Sequence, residues 1–500
     1  MTQAAAAVAA WLTPRMEADG VRVTGWSQLS GGAIQSNIAL DVDVDGGAFA
    51  GSQRFVLRTD AATAVAASLD RPREYAVLRA AWEAGVRAPQ PLFLCDDETV
   101  LGAGFFVMRR LPGVAAGRRI VRDATLVPDR AALAFELGEN LARIHAIVPP
   151  RSELAALPAA AADHAVAAIA QYRRFLDAMN DAHPAIEWGL RWCELHAPTP
   201  APATLIHRDY RTGNYLVDSG HLTGVLDWEF AGWGDPREDL GWFCARCWRF
   251  GALDREAGGI ASIEPFVQGY AAGHARAPSR EELDYWQVMA HLRWAVIALQ
   301  QSRRHLTGGE RSLELALTGR IVHELEHEIV QVTGRPPRTR TPVDRDTASG
   351  HSASRCARRD AAAPQDASSG NVAAATDIAD GDELLASAGE TLEHSVLPAV
   401  ATEQRYPALM AARAIAIALR EHRDGPAAAA AEAERVARLT GHQDLSPAPD
   451  RREAKRALAA AIREGSFDAG ARHAALCAHL AETVRRDVAI SNPAVLREIS

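Results

Sequence analysis

The chain has 500 residues, 48% of them hydrophobic, and a formal net charge of −9, which exceeds one typical domain and argues against a general nucleic-acid binder. Of its 54 basic residues only Lys455 is a lysine, so there is no Gly-Lys-Ser/Thr phosphate loop, and the one lysine lies in a charged stretch unsuited to a pyridoxal-phosphate Schiff base. Six cysteines form no disulfide framework, no run reaches the ~20 apolar residues of a membrane span, and the first residues carry no basic signal region; the expectation is a cytoplasmic protein without membrane or nucleic-acid partners.

In chain order, residues 21–24, 38–44 and 55–58 read as strands, the second by its apolar/polar alternation. A turn at 29–37 joins the first two. Residues 73–84 read as a helix stopped by Gly85 and Pro89, and 104–110 as a buried strand ending in charge. Helices are expected at 131–147, 283–304 and 312–332. Among them lies an island of short strands, at 204–207, 214–217 and 224–228. Residues 334–381 are rich in Arg, Pro, Ser, Asp and Ala and poor in large apolar side chains, which marks a disordered linker. Beyond it, segments 382–398, 405–422, 427–440, 451–464 and 468–488 read as a small helix bundle, with Pro407, Gly425, Pro447 and Gly470 near the breaks. The division is therefore 1–333, 334–381 and 382–500.

The densest polar signal is His207-Arg-Asp209-Tyr-Arg-Thr-Gly-Asn214, followed by Leu226-Asp227-Trp-Glu229. An Asp and an Asn five residues apart on a loop between strands can point into one cleft, and Asp227 ends the next strand on that side. Two of these oxygen donors suit a hard divalent cation, and Asp209 can orient a substrate hydroxyl and accept its proton. That set is what phosphoryl transfer requires. Two other motifs carry less. His323-Glu-Leu-Glu-His327 has the spacing of a zinc peptidase helix but no clear third ligand, and reads as a solvated face. Cys244-Ala-Arg-Cys247 is a lone pair beside Trp242, Phe243 and Trp248 and reads as buried helix. The pairs Arg118-Arg119 and Arg173-Arg174 also read as solvated.

The His-x-Asp-x-x-x-x-Asn pattern, the following Asp, and Gly232-Trp-Gly-Asp-Pro-Arg-Glu-Asp-Leu240 together resemble the aminoglycoside phosphotransferase-like family over roughly residues 20–330. Within it, the chain is similar to the kinase-like part attached to some large acyl-CoA dehydrogenases, a likeness that Trp242-Phe-Cys-Ala-Arg-Cys-Trp-Arg-Phe-Gly251 also fits. The resemblance implies an α+β, two-lobed protein-kinase-like fold and an ATP- and Mg2+-dependent transfer to a small-molecule hydroxyl. It implies Asp209 as base, Asn214 and Asp227 as metal ligands, His207 as a shaper of the loop, and Asp239 as a buried brace. Gly31, Gly32, Ser36 and Asn37 match the turn over the ATP phosphates, and Met108 lies in the strand whose backbone would bind adenine. Arg58 stands where kinases carry a phosphate-binding lysine, with Glu74 as its partner. The acceptor suggested is a hydroxyacyl thioester or another metabolite. The rival expectation is a nucleotide-binding regulator without turnover. The C-terminal segment resembles an uncharacterised helical domain that accompanies such enzymes, and contact through it, within the chain or between copies, is expected.

Overall fold

The computed structural model describes residues 3–29, 35–60, 68–273, 276–334, 381–441 and 451–497. Gly31 and Gly32 lie outside the described residues, as does the expected linker apart from its end residues.

Five antiparallel strands open the fold: β1 (Gly20–Gln28), β2 (Gln35–Asp45), β3 (Gly51–Asp60), β4 (Pro91–Cys95) and β5 (Phe105–Arg109), in the order β1-β2-β3-β5-β4. Successive side chains alternate faces. Ile38, Leu40, Val42, Phe55, Leu57, Phe105 and Val107 therefore meet α1 (Gln3–Arg15) through Val8, Trp11 and Leu12. Val56, Phe106 and Met108 look the other way, toward α2 (Arg71–Glu83). Asp70 caps α2 by accepting from the Arg73 amide at 3.0 Å. The sequence reading assigned neither α1 nor β4. Pro91 begins β4, and proline is tolerated there because β4 is an edge strand.

The helical lobe follows, with α3 (Gly117–Arg122), α4 (Arg130–His145), α5 (His164–Asp177), α6 (Pro184–Leu195), α7 (Arg237–Cys244), α8 (Ile263–Gly273), α9 (Arg280–Leu306), α10 (Leu313–Arg320) and α11 (Val322–Thr333). Four short strands interrupt it: β6 (Thr204–Ile206), β7 (Tyr215–Asp218), β8 (His221–Val225) and β9 (Gly232–Gly234), paired β6 with β9 and β7 with β8. A reciprocal capping box between Ser279 and Glu282 starts α9. The single helix expected over 312–332 is two, α10 and α11. Gly319 packs so closely on α9 that a Cβ there would lie 2.4 Å from the Ser302 Cβ, and Ile321, between the two helices, has φ −64° and ψ −22°.

The C-terminal part is α12 (Gly381–Thr391), α13 (Thr402–Thr440), α14 (Arg451–Arg463), α15 (Gly470–Ser491) and α16 (Ala494–Arg497). The two helices expected at 405–422 and 427–440 are one, because α13 runs straight through Pro407, Gly425 and Pro426. An interior proline costs about 3 kcal/mol, and packing against α14 and α15 offsets it: Val436, Leu458, Ile462, Leu476, Leu480 and Val484 share one core. That core also contains Ala185, Trp188 and Val330 of the helical lobe. Ion pairs run along the same seam, Arg463 to Glu187 at 2.9 Å and Arg452 to Asp181 at 2.8 Å, and Arg191 to Asp468.

This docking corrects the reading of the His323–His327 tract as a solvated face. Glu326, His327 and Glu328 are buried, because α11 is sandwiched between α9 and α15. Their carboxylates have local partners, Glu326 the His183 ring at 3.1 Å and Glu328 the Arg246 guanidinium at 3.2 Å. Arg173 is likewise no solvated residue: it pairs with Glu187 at 2.8 Å and with Glu194.

Candidate phosphotransfer site

The site lies where the sheet faces the short-strand island. Alternation along β3 puts Arg58 on the cleft side with Val56, and the register sets Asn37 directly opposite on β2. Arg58 is 3% exposed. Its Nε lies 2.8 Å from Glu74 Oε1, and its Nη1 donates to Asp227 Oδ1 at 3.0 Å and to Asn37 Oδ1 at 3.3 Å. Arg71 holds the other Glu74 oxygen. Burial alone would lower the Arg58 pKa; the Glu74, Asp227 and Glu229 carboxylates outweigh it and hold the guanidinium above its ordinary value. Ser36 lies on the opposite face of β2 from Asn37, where its hydroxyl accepts from Gln28 Nε2 at 2.9 Å. The structure does not bring its side chain to Arg58. Met108 is buried near the end of β5, opposite Val56 and Pro91.

The loop after β6 is built around Asp239 at the start of α7. Asp239 is fully buried. It accepts from the His207 and Arg208 amides, both at 2.7 Å, and lies 3.2 Å from His145 Nε2. Burial pushes its pKa up, but the His145 contact and these donors outweigh burial and hold it below the usual carboxylate value. The brace holds Arg208 at φ 62°, a left-handed conformation that costs a non-glycine residue about 1–2 kcal/mol.

His207 is locked as one neutral tautomer. Its Nε2–H donates to the Leu226 carbonyl at 2.8 Å, and its Nδ1 accepts from the Asp209 amide at 3.2 Å. Burial lowers its pKa despite the surrounding carboxylates. The ring thereby ties the Asp209 loop to the end of β8.

Asp209 is reached by three donors. Trp242 Nε1 and Arg211 Nε donate to Oδ1 at 2.9 and 3.0 Å, and Asn214 Nδ2 donates to Oδ2 at 2.5 Å. Asn214 Nδ2 also donates to the Asp209 main-chain carbonyl, and the Asn214 main-chain carbonyl accepts from the Leu226 amide at 2.8 Å. Asp227 follows directly, with φ 60° and ψ 61°, a left-handed position that Asp tolerates better than most residues. Asp209 with Asn214, and Asp227 with Arg58 and Glu74, thus form two contact groups, joined through Leu226, whose amide binds the Asn214 main chain and whose neighbour is Asp227. Glu229 is buried, and its carbonyl accepts from the Leu69 amide at 2.7 Å.

Sequence reasoning missed four residues here. Arg211 lies inside the motif and could have been found as a cation beside Asp209. Trp242, His145 and Arg293 gave no local signal. Arg293 donates to the Arg208 carbonyl and stacks 4.5 Å over the Trp242 ring, and it comes from α9, far along the chain. Of the other two motifs, Cys244-Ala-Arg-Cys247 borders this cluster through Trp242 and Trp248, and His323–His327 lies on α11. Burial raises the pKa of both the Cys244 and Cys247 thiols, and among the described residues no group of three or more His, Cys, Asp or Glu side chains is placed to hold a metal. No helix among them is long and apolar enough to cross a membrane.

A five-stranded sheet over a helical lobe, with this polar cluster between them, is the fold of small-molecule phosphotransferases. The chain belongs to the phosphotransferase enzyme family, whose family model matches residues 25–283; a domain of unknown function (DUF6285) matches residues 398–495. It is similar to acyl-CoA dehydrogenase family member 10 of Mus musculus, 25% identical over 269 residues, covering 51% of this chain and 24% of that protein. It is also similar to acyl-CoA dehydrogenase family member 11 of Homo sapiens, 25% identical over 278 residues, covering 53% and 35%. The chain spans well under half the length of these relatives, and the likeness is to their kinase-like part. Among solved structures, a Ralstonia eutropha protein assigned as an aminoglycoside phosphotransferase shares the fold, with TM-score 0.53 and 20% identity over 66% of this chain and 98% of that one. The aminoglycoside phosphotransferase APH(4)-Ia, in complex with AMP-PNP and hygromycin B, matches at TM-score 0.45 and 16% identity, over 67% and 99%.

Proposed function

We propose that this chain transfers the γ-phosphoryl group of ATP to a hydroxyl of a small molecule, using a kinase unit at 1–333 joined through 334–381 to a helical accessory unit at 382–500. The observation that supports the reading is the pair of contact groups Asp209–Asn214 and Asp227–Arg58–Glu74, which would supply a base, two hard oxygen donors and a cation for the phosphates.

The donor set fits magnesium. Asn214 commits its Nδ2 to Asp209, which leaves its amide oxygen for a cation, and the Asp227 side chain is 32% exposed beside Arg58. Bound with ATP, the ion would neutralise charge on the phosphates. Asp209 orients the acceptor hydroxyl and takes its proton, with Trp242 and Arg211 fixing the carboxylate. Arg58, held by Glu74, offers its fork to the phosphates. The turn containing Gly31 and Gly32 would cover them, and the backbone near Met108 would receive the adenine.

The Arg58–Asp227 bridge is the one feature that favours a nucleotide-binding regulator without turnover, because it occupies a proposed metal ligand. Phosphorylation of a broad metabolite panel with ATP and magnesium, wild type against Asp209→Asn, separates the two. We expect turnover of at least one metabolite and a loss of about 10²-fold or more in the variant. Undiminished turnover in Asp209→Asn removes the mechanism, and ATP binding with no product from any metabolite supports the regulator.

A further inference from the structure

We propose that Arg293 is a positioning residue for the phosphotransfer reaction: from α9 it holds both the main chain just before Asp209 and the indole that binds the Asp209 carboxylate. The inference rests on the phosphotransferase reading above and adds to that site a residue outside its loop. Arg293 reaches the loop by two arms. Its Nη1 donates to the Arg208 carbonyl at 2.5 Å. Its guanidinium lies 4.5 Å over the Trp242 ring, and Trp242 Nε1 donates to Asp209 Oδ1 at 2.9 Å. The arms meet at Asp209, one through the peptide that precedes it and one through a donor on its carboxylate.

The first arm completes the hold on a strained residue. Arg208 has φ 62°, and a left-handed non-glycine residue persists only where its surroundings over-determine it. Here both polar ends of its main chain are tied to helices: the amide to Asp239 of α7 at 2.7 Å, the carbonyl to Arg293 of α9. The Arg208 carbonyl belongs to the same peptide unit as the Asp209 amide, which donates to His207 Nδ1 at 3.2 Å. Tilting that planar unit turns the Asp209 backbone and carries its carboxylate along. The second arm works on the carboxylate itself. A cation held over an indole face by the ring quadrupole fixes the plane of the ring, so Nε1 stays directed at Oδ1.

Helix packing enforces the juxtaposition. α7 and α9 approach so closely that a Cβ on Gly241 would lie 2.4 Å from the Trp286 carbonyl carbon. Trp242 follows Gly241, and Arg293 lies about two turns beyond Trp286 on the same face of α9. Glu238, one turn before Trp242 on α7, steers the guanidinium from 3.5 Å, longer than an ordinary hydrogen bond. An arginine that served only as the counter-ion of Glu238 would need neither the carbonyl nor the ring.

The test compares the full-length wild type with Arg293→Met, Arg293→Lys and Trp242→Phe. One readout is the Trp242 indole N–H resonance of isotope-labelled protein, identified by its loss in Trp242→Phe. The other is kcat and the KM for ATP with a metabolite phosphorylated in the panel above. Arg293→Met should move the resonance and lower kcat by about 10- to 100-fold, the loss expected when a reacting group is misplaced, with little change in the KM for ATP. Arg293→Lys, which keeps the charge and a donor but not the planar stack, should recover part of kcat. A folded Arg293→Met protein with an unmoved resonance or an unchanged kcat would overturn the assignment. So would parallel losses of kcat and ATP affinity with no recovery in Arg293→Lys, the pattern of a purely structural residue. If Arg293→Met does not fold, the other two variants decide: lowered kcat in both with the resonance moved in Arg293→Lys supports the role, and unchanged kcat in both removes it. The two readings fail separately. A moved resonance with no metabolite phosphorylated by wild type keeps the hold on Asp209 and removes the kinase. Turnover by wild type that no variant alters keeps the kinase and removes the positioning role.

Discussion

Replacing Asp239 by asparagine changes one atom and should unravel the loop that carries Asp209. In the native chain the Asp239 carboxylate accepts from two backbone amides at 2.7 Å and faces His145 Nε2 at 3.2 Å, with no exposure to water. An asparagine has a single carbonyl oxygen. If that oxygen faces His207, its NH2 meets the Arg208 amide donor; if it is flipped, the His207 amide is abandoned instead. Either way a charge-assisted bond worth roughly 1.5–3 kcal/mol is lost, and a buried N–H is left unpaired at a further 1–3 kcal/mol. A total near 4 kcal/mol is expected, which for a chain of 500 residues unfolding as a unit lowers the melting midpoint by about 4 °C. Released from the brace, Arg208 leaves its left-handed conformation and the Asp209 loop shifts with it. Calorimetry measures the midpoint, and nucleotide titration follows the site. A variant within 1 kcal/mol of wild type would refute the reasoning, because it would mean that the two amides find other acceptors at no cost.

Arg58→Ala leaves Glu74 with Arg71 but removes its second cation and frees Asp227; breaking such a buried pair costs about 3–5 kcal/mol, and ATP affinity should fall with it. Arg58→Lys should keep part of the stability but lose the fork that reaches Glu74 and Asp227 together; equal ATP affinity in wild type and both variants would place the phosphates elsewhere. Truncation after residue 380 exposes Trp188 and Val330 and removes Arg463 from Glu187, so aggregation or a clearly lowered melting midpoint is expected by light scattering and calorimetry. Trp188→Ala in the full chain should cost about 3–5 kcal/mol in urea unfolding. Acid should act through His291. Its folded pKa of about 4 lies below the ordinary value of 6.5, so the unfolded chain takes up the proton first, and its contribution to stability, intact above pH 6.5, declines as pH falls toward 4. About 2 kcal/mol is lost by pH 5, and His291→Phe should flatten that part of the urea midpoint profile.

The local chemistry was legible because it is contiguous. His207, Asp209 and Asn214 fall within eight residues, and the family resemblance already singled out Arg58 on its strand. The scarcity of lysine directed attention to that same arginine. Other features exist only through distance in sequence. Asp239 meets His145 across 94 residues, and Arg293 reaches back to Arg208 across 85. No periodicity encodes such pairs, since each needs two helices packed at a particular angle. Boundaries failed for a related reason. Pro407 and Pro426 are local breakers, and a packed face on α14 and α15 overrides them in α13. The charged tract on α11 has the composition of a solvent face, and it is buried because a second helical unit covers it, while His183 and Arg246 of the helical lobe itself meet its carboxylates. The sequence by itself determined the family of the fold and singled out the loop that carries His207, Asp209 and Asn214. Only tertiary packing decided which charges are buried, what holds Asp209 still, and that the C-terminal helices share a core with the helical lobe, because burial and ion pairing depend on every element that closes over a residue.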